Sequence, residues 1–377
     1  MLTCLENCEN FEDSRKTLES KKLVVRQYSD LGLYLVKYNK NYILENNILL
    51  DEDMKKCRGL IMDNNNNVVC APPFKAELLD YFALLNPEEQ KNIVYEEFID
   101  GTMINIFYYN GWHISTRSCI GANCKWYSKR NFSDLFEDCK NFDVDQLNKD
   151  YCYNFVLKHP ENRIVTKYDT SSIVLVGAYK IENNKPLFLD LQVVQKELNN
   201  INIEIPKRYT FENFQQAWAY GNTMLNYDNQ GIILKHNNIR GRIINPHYNY
   251  VKNLRGNGRN IKYLYFELRK DNFIDEFLNY YPEHRELFNS FQSELYAMTH
   301  KLFNYYQDFR VKKTIKYEDI EYQYRPLLYT LHGEYLNTKN VVTFSRVKYF
   351  VNGMPSAQIL FVLNYKLKDT SADVDTA

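Results

Sequence analysis

Residues 95–121 read Tyr-Glu-Glu-Phe-Ile-Asp-Gly-Thr-Met-Ile-Asn-Ile-Phe-Tyr-Tyr-Asn-Gly-Trp-His-Ile-Ser-Thr-Arg-Ser-Cys-Ile-Gly. Asn110-Gly111 stands between two β-rich runs, and both residues tolerate the positive φ that a type I′ hairpin turn demands. A two-residue loop sets Tyr109 opposite Trp112, Phe107 opposite Ile114 and Ile104 opposite Arg117. Side chains alternate along a strand, so Phe98, Asp100, Thr102 and Ile104 then share a face with Arg117, unless Gly101 introduces a bulge. A carboxylate, a hydroxyl and a guanidinium would line one wall of the sheet.

Outward from this hairpin the pattern stays β-rich. Runs at 23–25 and 33–36 precede a second hairpin, in which 56–63 turns through four asparagines and returns as 68–70. Pro72-Pro73 ends it, because two prolines forbid regular helix or central strand. Residues 154–159 and 173–179 read as strands, 132–136 and 211–219 as helices, and 231–235 as a buried strand. Leu295, Met298, Leu302, Tyr305 and Phe309 recur at three and four residues, the apolar stripe of a long helix. This organisation predicts one domain over 1–258, a helical C-terminal domain over 259–368 and a disordered polar tail over 369–377.

With 45% hydrophobic and 25% charged residues in 377, the composition suits a globular protein of about two domains. Lys+Arg 47 balance Asp+Glu 47, so any nucleic-acid contact must be local. The 32 tyrosines and 22 phenylalanines suit base stacking, or reflect an A/T-rich genome. The eight cysteines form no Cys-x-x-Cys pair and the histidines show no zinc spacing, so no metal site is expected. Without a signal peptide or a run long enough to span a bilayer, the expectation is a cytoplasmic protein with no membrane contact.

The Asp100-Gly101-Thr102 step with its basic return, Ser115-Thr116-Arg117-Ser118, resembles the nucleotide-binding hairpin of the covalent nucleotidyltransferases. Among these it is most similar to the phage-type RNA ligases that repair broken tRNA. The resemblance covers roughly residues 55–255 and rests on the order of short blocks. Cys57-Arg58-Gly59 and Pro72-Pro73-Phe74-Lys75 are similar to a Cys-Arg-Gly and a Pro-x-x-Lys whose Arg and Lys grip the triphosphate. Asn154-Phe155-Val156 and Pro160-Glu161-Asn162-Arg163-Ile164-Val165 look like the family's Asn-Phe-Glu strand and Pro-x-Asn-Arg-Ile-Val run. Gln230-Gly231 fits its Glu-Gly strand, and Arg242-Ile243-Ile244 its Lys-x-Lys strand. Similar proteins occur in large cytoplasmic DNA viruses, which implies a viral protein of the host cytoplasm. The implied fold is α+β: a nucleotidyltransferase domain of antiparallel sheets with flanking helices, plus a mainly helical C-terminal domain that in the family selects the RNA.

The departures fall on the chemistry. In the family, a Lys two residues before the Asp takes AMP from ATP; that position is Phe98, which has no nucleophilic atom. Val156 and Gln230 stand where the family has metal-binding glutamates, and Ile244 where it has a second lysine. These four are degenerate catalytic positions, so no catalytic residue, metal or required cofactor is expected, although ATP binding remains possible. Arg58, Lys75, Arg117, Arg163 and Arg242, with Asp100, are the expected phosphate- or nucleotide-binding set. Any one of these cations could equally pair with a surface acid.

The run 235–270 holds nine cations and one acid, Glu267. In it Lys252, Arg255 and Arg259 are expected to track an RNA backbone, or to form a solvated face. Lys158 and Lys235 are candidates for a relocated nucleophile. Three functional readings follow: a catalytically inactive RNA-ligase-like protein that holds RNA ends or nucleotide phosphates; an active ATP-dependent ligase with a displaced lysine; and a scaffold in a viral or ribonucleoprotein assembly. RNA is the expected partner in the first two.

Overall fold

The computed structural model describes residues 2–371 except 77, 78, 127, 200 and 259. The chain forms two compact units, Met1–Asn253 and Leu254–Ala377, dividing slightly ahead of the expected 258/259 boundary.

The first unit carries three antiparallel sheets, and the fold class is the expected α+β. In chain order the strands are β1 (Leu23–Tyr28), β2 (Leu33–Tyr38), β3 (Arg58–Asp63), β4 (Val68–Cys70), β5 (Val94–Glu97), β6 (Thr102–Tyr108) and β7 (Trp112–Ser115). They continue as β8 (Tyr151–Lys158), β9 (Ser172–Glu182), β10 (Lys185–Phe188), β11 (Arg208–Tyr209), β12 (Gly231–His236) and β13 (Ile239–Ile244). The sheets run β1-β2-β3-β4, β10-β9-β8-β6-β7 and β11-β5-β12-β13.

Two expectations about the central hairpin are corrected. First, β6 and β7 pair Tyr108 with Trp112, Phe107 with His113, Ile106 with Ile114 and Asn105 with Ser115. The loop therefore holds three residues, 109–111, and every facing pair slips by one. Asn110 and Gly111 do take positive φ, 53° and 143°, but the Tyr109 N–H closes onto the Gly111 carbonyl at 2.9 Å, which opens the turn by one residue.

Second, residues 98–104 are not one strand. β5 pairs with β11 and β12, whereas β6 lies in another sheet beside β8. The last ladder bond of β5 runs from the Phe98 N–H to the Gly231 carbonyl at 3.0 Å; the chain then crosses between sheets over 98–101. Gly101 has φ 149°, and an added Cβ there would strike the Leu157 carbonyl, so the crossing needs a residue without one. Alternation consequently breaks. Thr102 Oγ1 accepts from Asn162 Nδ2 at 2.8 Å, and Ile104 turns into the core under the sheet.

That core joins Ile104, Ile106, Phe155 and Leu157 to the helices Phe132–Cys139 and Leu191–Glu197. The opposite face of the sheet, through Phe107, Cys152 and Tyr179, packs on Leu33, Leu35 and Ile61 of the first sheet. Ala217 of the helix Phe214–Asn222 covers Ile232, Leu234 and Ile243 of the third. Apolar alternation thus buries both faces of the middle sheet.

The second unit contains only helices among the described residues, the longest being Arg285–Tyr306. Leu295, Met298 and Leu302 are buried as the stripe predicts, but Tyr306 replaces Tyr305. The helix widens into a π turn at Gln307–Val311, which ends the 3.6-residue period and leaves Phe309 half-buried. Residues 369–371, expected in a disordered tail, complete the helix Ser356–Ser371; 372–377 lie outside the described residues. Among the described residues, no helix is long and apolar enough to cross a membrane.

Candidate functional site

A cavity of about 480 Å³ is lined by residues of all three sheets. Gly59, at φ 100°, is the close approach that assembles its first wall: a Cβ added there would lie 2.8 Å from the Arg117 Cα. Arg58 opens β3 and Arg117 follows β7, so this contact sets two guanidiniums side by side.

Arg58 Nη1 donates to the carbonyls of Pro73 and Phe74, each at 3.3 Å. Arg117 Nη2 donates to the Tyr38 carbonyl at 3.2 Å, and its Cζ stands 4.4 Å from the Tyr38 ring centre. The Nε atoms of both are buried without a hydrogen-bond partner. Burial lowers the Arg117 pKa; the Tyr38 hydroxyl opposes that shift and the Arg58 charge adds to it.

β13 supplies the facing wall. Arg240 and Arg242 are two residues apart on one strand and both reach the cavity. Arg240 lies over the Phe98 ring, Cζ to centroid 5.6 Å. Burial, together with the Arg58 and Arg242 charges, lowers its pKa to about 10. Lys252, from the helix Pro246–Arg255, completes this side. Among the described residues, seven cations (Lys40, Arg58, Lys75, Arg117, Arg240, Arg242 and Lys252) line the cavity with one carboxylate, Asp100.

Asp100, expected to contact nucleotide, has its oxygens already engaged. Oδ2 accepts from the Val165 and Thr166 N–H groups, each at 3.0 Å, and Oδ1 from the Tyr248 hydroxyl at 2.6 Å. Tyr168 adds a bond to the Asp100 carbonyl at 2.9 Å. The aspartate clamps the 165–166 backbone and the helix Pro246–Arg255 onto the crossing. It is buried, and three protein donors meet its two oxygens.

Other expected residues lie elsewhere. Arg163 turns its Nε onto the Val165 carbonyl at 2.9 Å, and its neighbour Ile164 lines the cavity instead. Ile244 pairs opposite Gly231 in the ladder and is not part of the wall. Lys252, expected on an RNA-tracking surface, faces the cavity. Arg255 is buried and donates to the Gly258 carbonyl at 3.3 Å, so it is not a solvated cation. Arg259 lies outside the described residues.

Lys235 Nζ sits 2.6 Å from Glu96 Oε2 and donates to the Val176 carbonyl at 3.0 Å, facing a separate, smaller cavity. Lys158 pairs with Glu204 at 3.0 Å. Neither lysine reaches the Phe98 site. Arg240, counted from sequence only within the basic run, was legible as a site residue from its two-residue spacing to Arg242.

Among the described residues, the cavity lining does not fit a divalent metal. Mg²⁺ needs carboxylate and water oxygens; Val156 offers none, Gln230 offers one amide, and Asp100 is occupied. Among the described residues, no group of three His, Cys, Asp or Glu could hold a metal ion. The guanidinium and ammonium groups of the wall are instead the donor types that pair with phosphate oxygens.

No family model matches the chain. It is similar to the RNA ligase of Rhodothermus phage RM378, 24% identical over 222 residues, covering 49% of this chain and 50% of that protein. It is also similar to the immediate-early protein ICP-46 homolog of Invertebrate iridescent virus 3, 27% identical over 265 residues, covering 66% of this chain and 57% of that one. The chain thus spans about half the length of the curated relatives it matches. Among solved structures it is similar to an archaeal ATP-dependent RNA ligase, with a TM-score of 0.44 and 12% identity over 96% of this chain and 79% of that one. The chain is thus similar to a viral RNA ligase and to an ICP-46-like viral protein.

Proposed function

We propose that this RNA-ligase-like protein holds nucleotide or RNA-end phosphates in the cavity without forming a lysyl–nucleotide bond. The observation that carries this reading is the convergence of seven cations from all three sheets on one cavity that, among the described residues, holds a single carboxylate. Burial holds Arg240 below the usual arginine range and the Arg58 and Arg242 charges add to it; an anion seated among these cations offsets that repulsion. Covalent transfer lacks its nucleophile at Phe98 and carboxylates at Val156 and Gln230.

The test is equilibrium binding of ATP and of 5′-phosphorylated RNA in EDTA, on the wild type and on Arg117→Ala with Arg242→Ala. Binding that needs no metal, and falls tenfold or more in the double variant (about 1.4 kcal/mol), supports the proposal. Its salt slope should also flatten by roughly one unit per lost phosphate contact. Affinity unchanged by the pair rules the cavity out.

A second reading, covalent transfer through a displaced lysine, is favoured by one observation. Lys252 is the half-buried lysine on the cavity wall, and burial lowers its pKa, which raises the share of free amine. Incubation with ATP labelled at the α-phosphate plus magnesium, followed by a denaturing gel, separates the two. No labelled band is expected under the first reading; a band abolished in Lys252→Ala establishes the second.

A further inference from the structure

The helical unit has a cavity of its own, of about 540 Å³. Its wall brings together Arg269, Arg285 and Lys348 with one carboxylate, Asp275. These cations come from three helices, Ile261–Lys270, Arg285–Tyr306 and Phe344–Gly353, so tertiary packing alone collects them. Arg269 Nη1 donates to Asn352 Oδ1 at 2.6 Å, which holds the guanidinium along the wall, and its Nε is buried without a hydrogen-bond partner. Burial also lowers its pKa. Arg285 and Lys348 are exposed, so the site opens to solvent. Three cations facing one space with a single carboxylate leave an excess of positive charge that favours an entering anion.

The same wall carries a flat apolar surface. Tyr296 is 56% exposed, yet it is braced: its ring meets His300 at 4.5 Å, and His300 stacks on Phe344 at 4.2 Å. A ring held in place beside cations is the arrangement that takes a base on its face and a phosphate alongside. The volume falls in the range of small-ligand sites. We propose that this cavity is a second site, binding one phosphorylated nucleotide of a single strand. The phosphate lies on Arg269, Arg285 and Lys348 and the base on Tyr296. This assignment does not depend on the cavity among the sheets.

The experiment uses the full chain carrying Arg117→Ala and Arg242→Ala, so that the first cavity is weakened. Three probes are titrated: inorganic phosphate, AMP and a fluorescent 5′-phosphorylated single-stranded RNA. Adding Arg285→Glu with Lys348→Glu, both on exposed positions, should lower affinity for all three at least tenfold. Tyr296→Ala should weaken AMP and RNA severalfold and leave phosphate unchanged. RNA binding far tighter than AMP identifies a strand, and equal binding a free nucleotide. Unchanged affinity after charge reversal overturns the site, as does the absence of any binding before it. A loss confined to inorganic phosphate overturns the nucleotide assignment.

Discussion

Arg240 lies with its guanidinium carbon 5.6 Å from the centre of the Phe98 ring. A cation of β13 is therefore held against the residue at which the chain leaves β5 for the next sheet. The ring's negative face stabilises a charge that burial otherwise disfavours. An amine in the same seat would instead confront a guanidinium.

Phe98→Ala should accordingly cost about 1–2 kcal/mol, the worth of a partly desolvated cation–π contact, while Phe98→Tyr should be nearly neutral. Phe98→Lys should destabilise the protein and give no nucleotide adduct, because Val156 and Gln230 leave no carboxylates for a metal. Denaturant unfolding and label transfer from ATP check the two halves. Recovery of an adduct in Phe98→Lys would show that the rest of the ligase machinery survives.

Asp100 accepts three hydrogen bonds from Val165, Thr166 and Tyr248. Asp100→Ala strands all three donors and should cost about 3–6 kcal/mol, at roughly 1–2 kcal/mol each. Asp100→Asn keeps one acceptor oxygen and should cost less. Equal midpoints for the two variants in urea would refute the clamp.

Gly59→Ala tests how the arginine wall is assembled. The new methyl meets the Arg117 backbone at 2.8 Å, in a residue whose φ is 100°. Left-handed strain alone costs about 1–2 kcal/mol, and the overlap must push β3 off the turn after β7. Phosphate binding should fall more steeply than thermal stability. Unaltered binding in a folded Gly59→Ala protein would remove the arginine pair from the site.

Lys252 gives the pH dependence. Burial lowers its pKa, Asp100 offsets part of that, and Arg242 and Lys40 lower it further. A lysine is charged below its pKa, so anion affinity is complete below the lowered value and declines as pH rises through it. In Lys252→Arg that decline should move to higher pH. For folding the sign is opposite: between the lowered value and 10.5 the unfolded chain binds the extra proton, so this group's contribution to stability rises with pH. Titrating binding and unfolding over the same range checks both slopes.

Much of the architecture is written in neighbouring residues. The Asn110-Gly111 turn, the proline stop at 72–73 and the period-two runs place most strands, because backbone preference and alternation are local properties. The block order also brings Arg58, Lys75, Phe98, Arg117, Val156, Gln230 and Arg242 to one cavity. Which sheet a strand joins is not local. β5 chooses β12, more than a hundred residues away, over its neighbour β6, and that choice turns 98–101 into a crossing instead of a strand. It sends Ile104 inward and occupies Asp100. It also makes Phe98 the partner of Arg240, since alternation says that side chains take opposite faces but not what each face will meet.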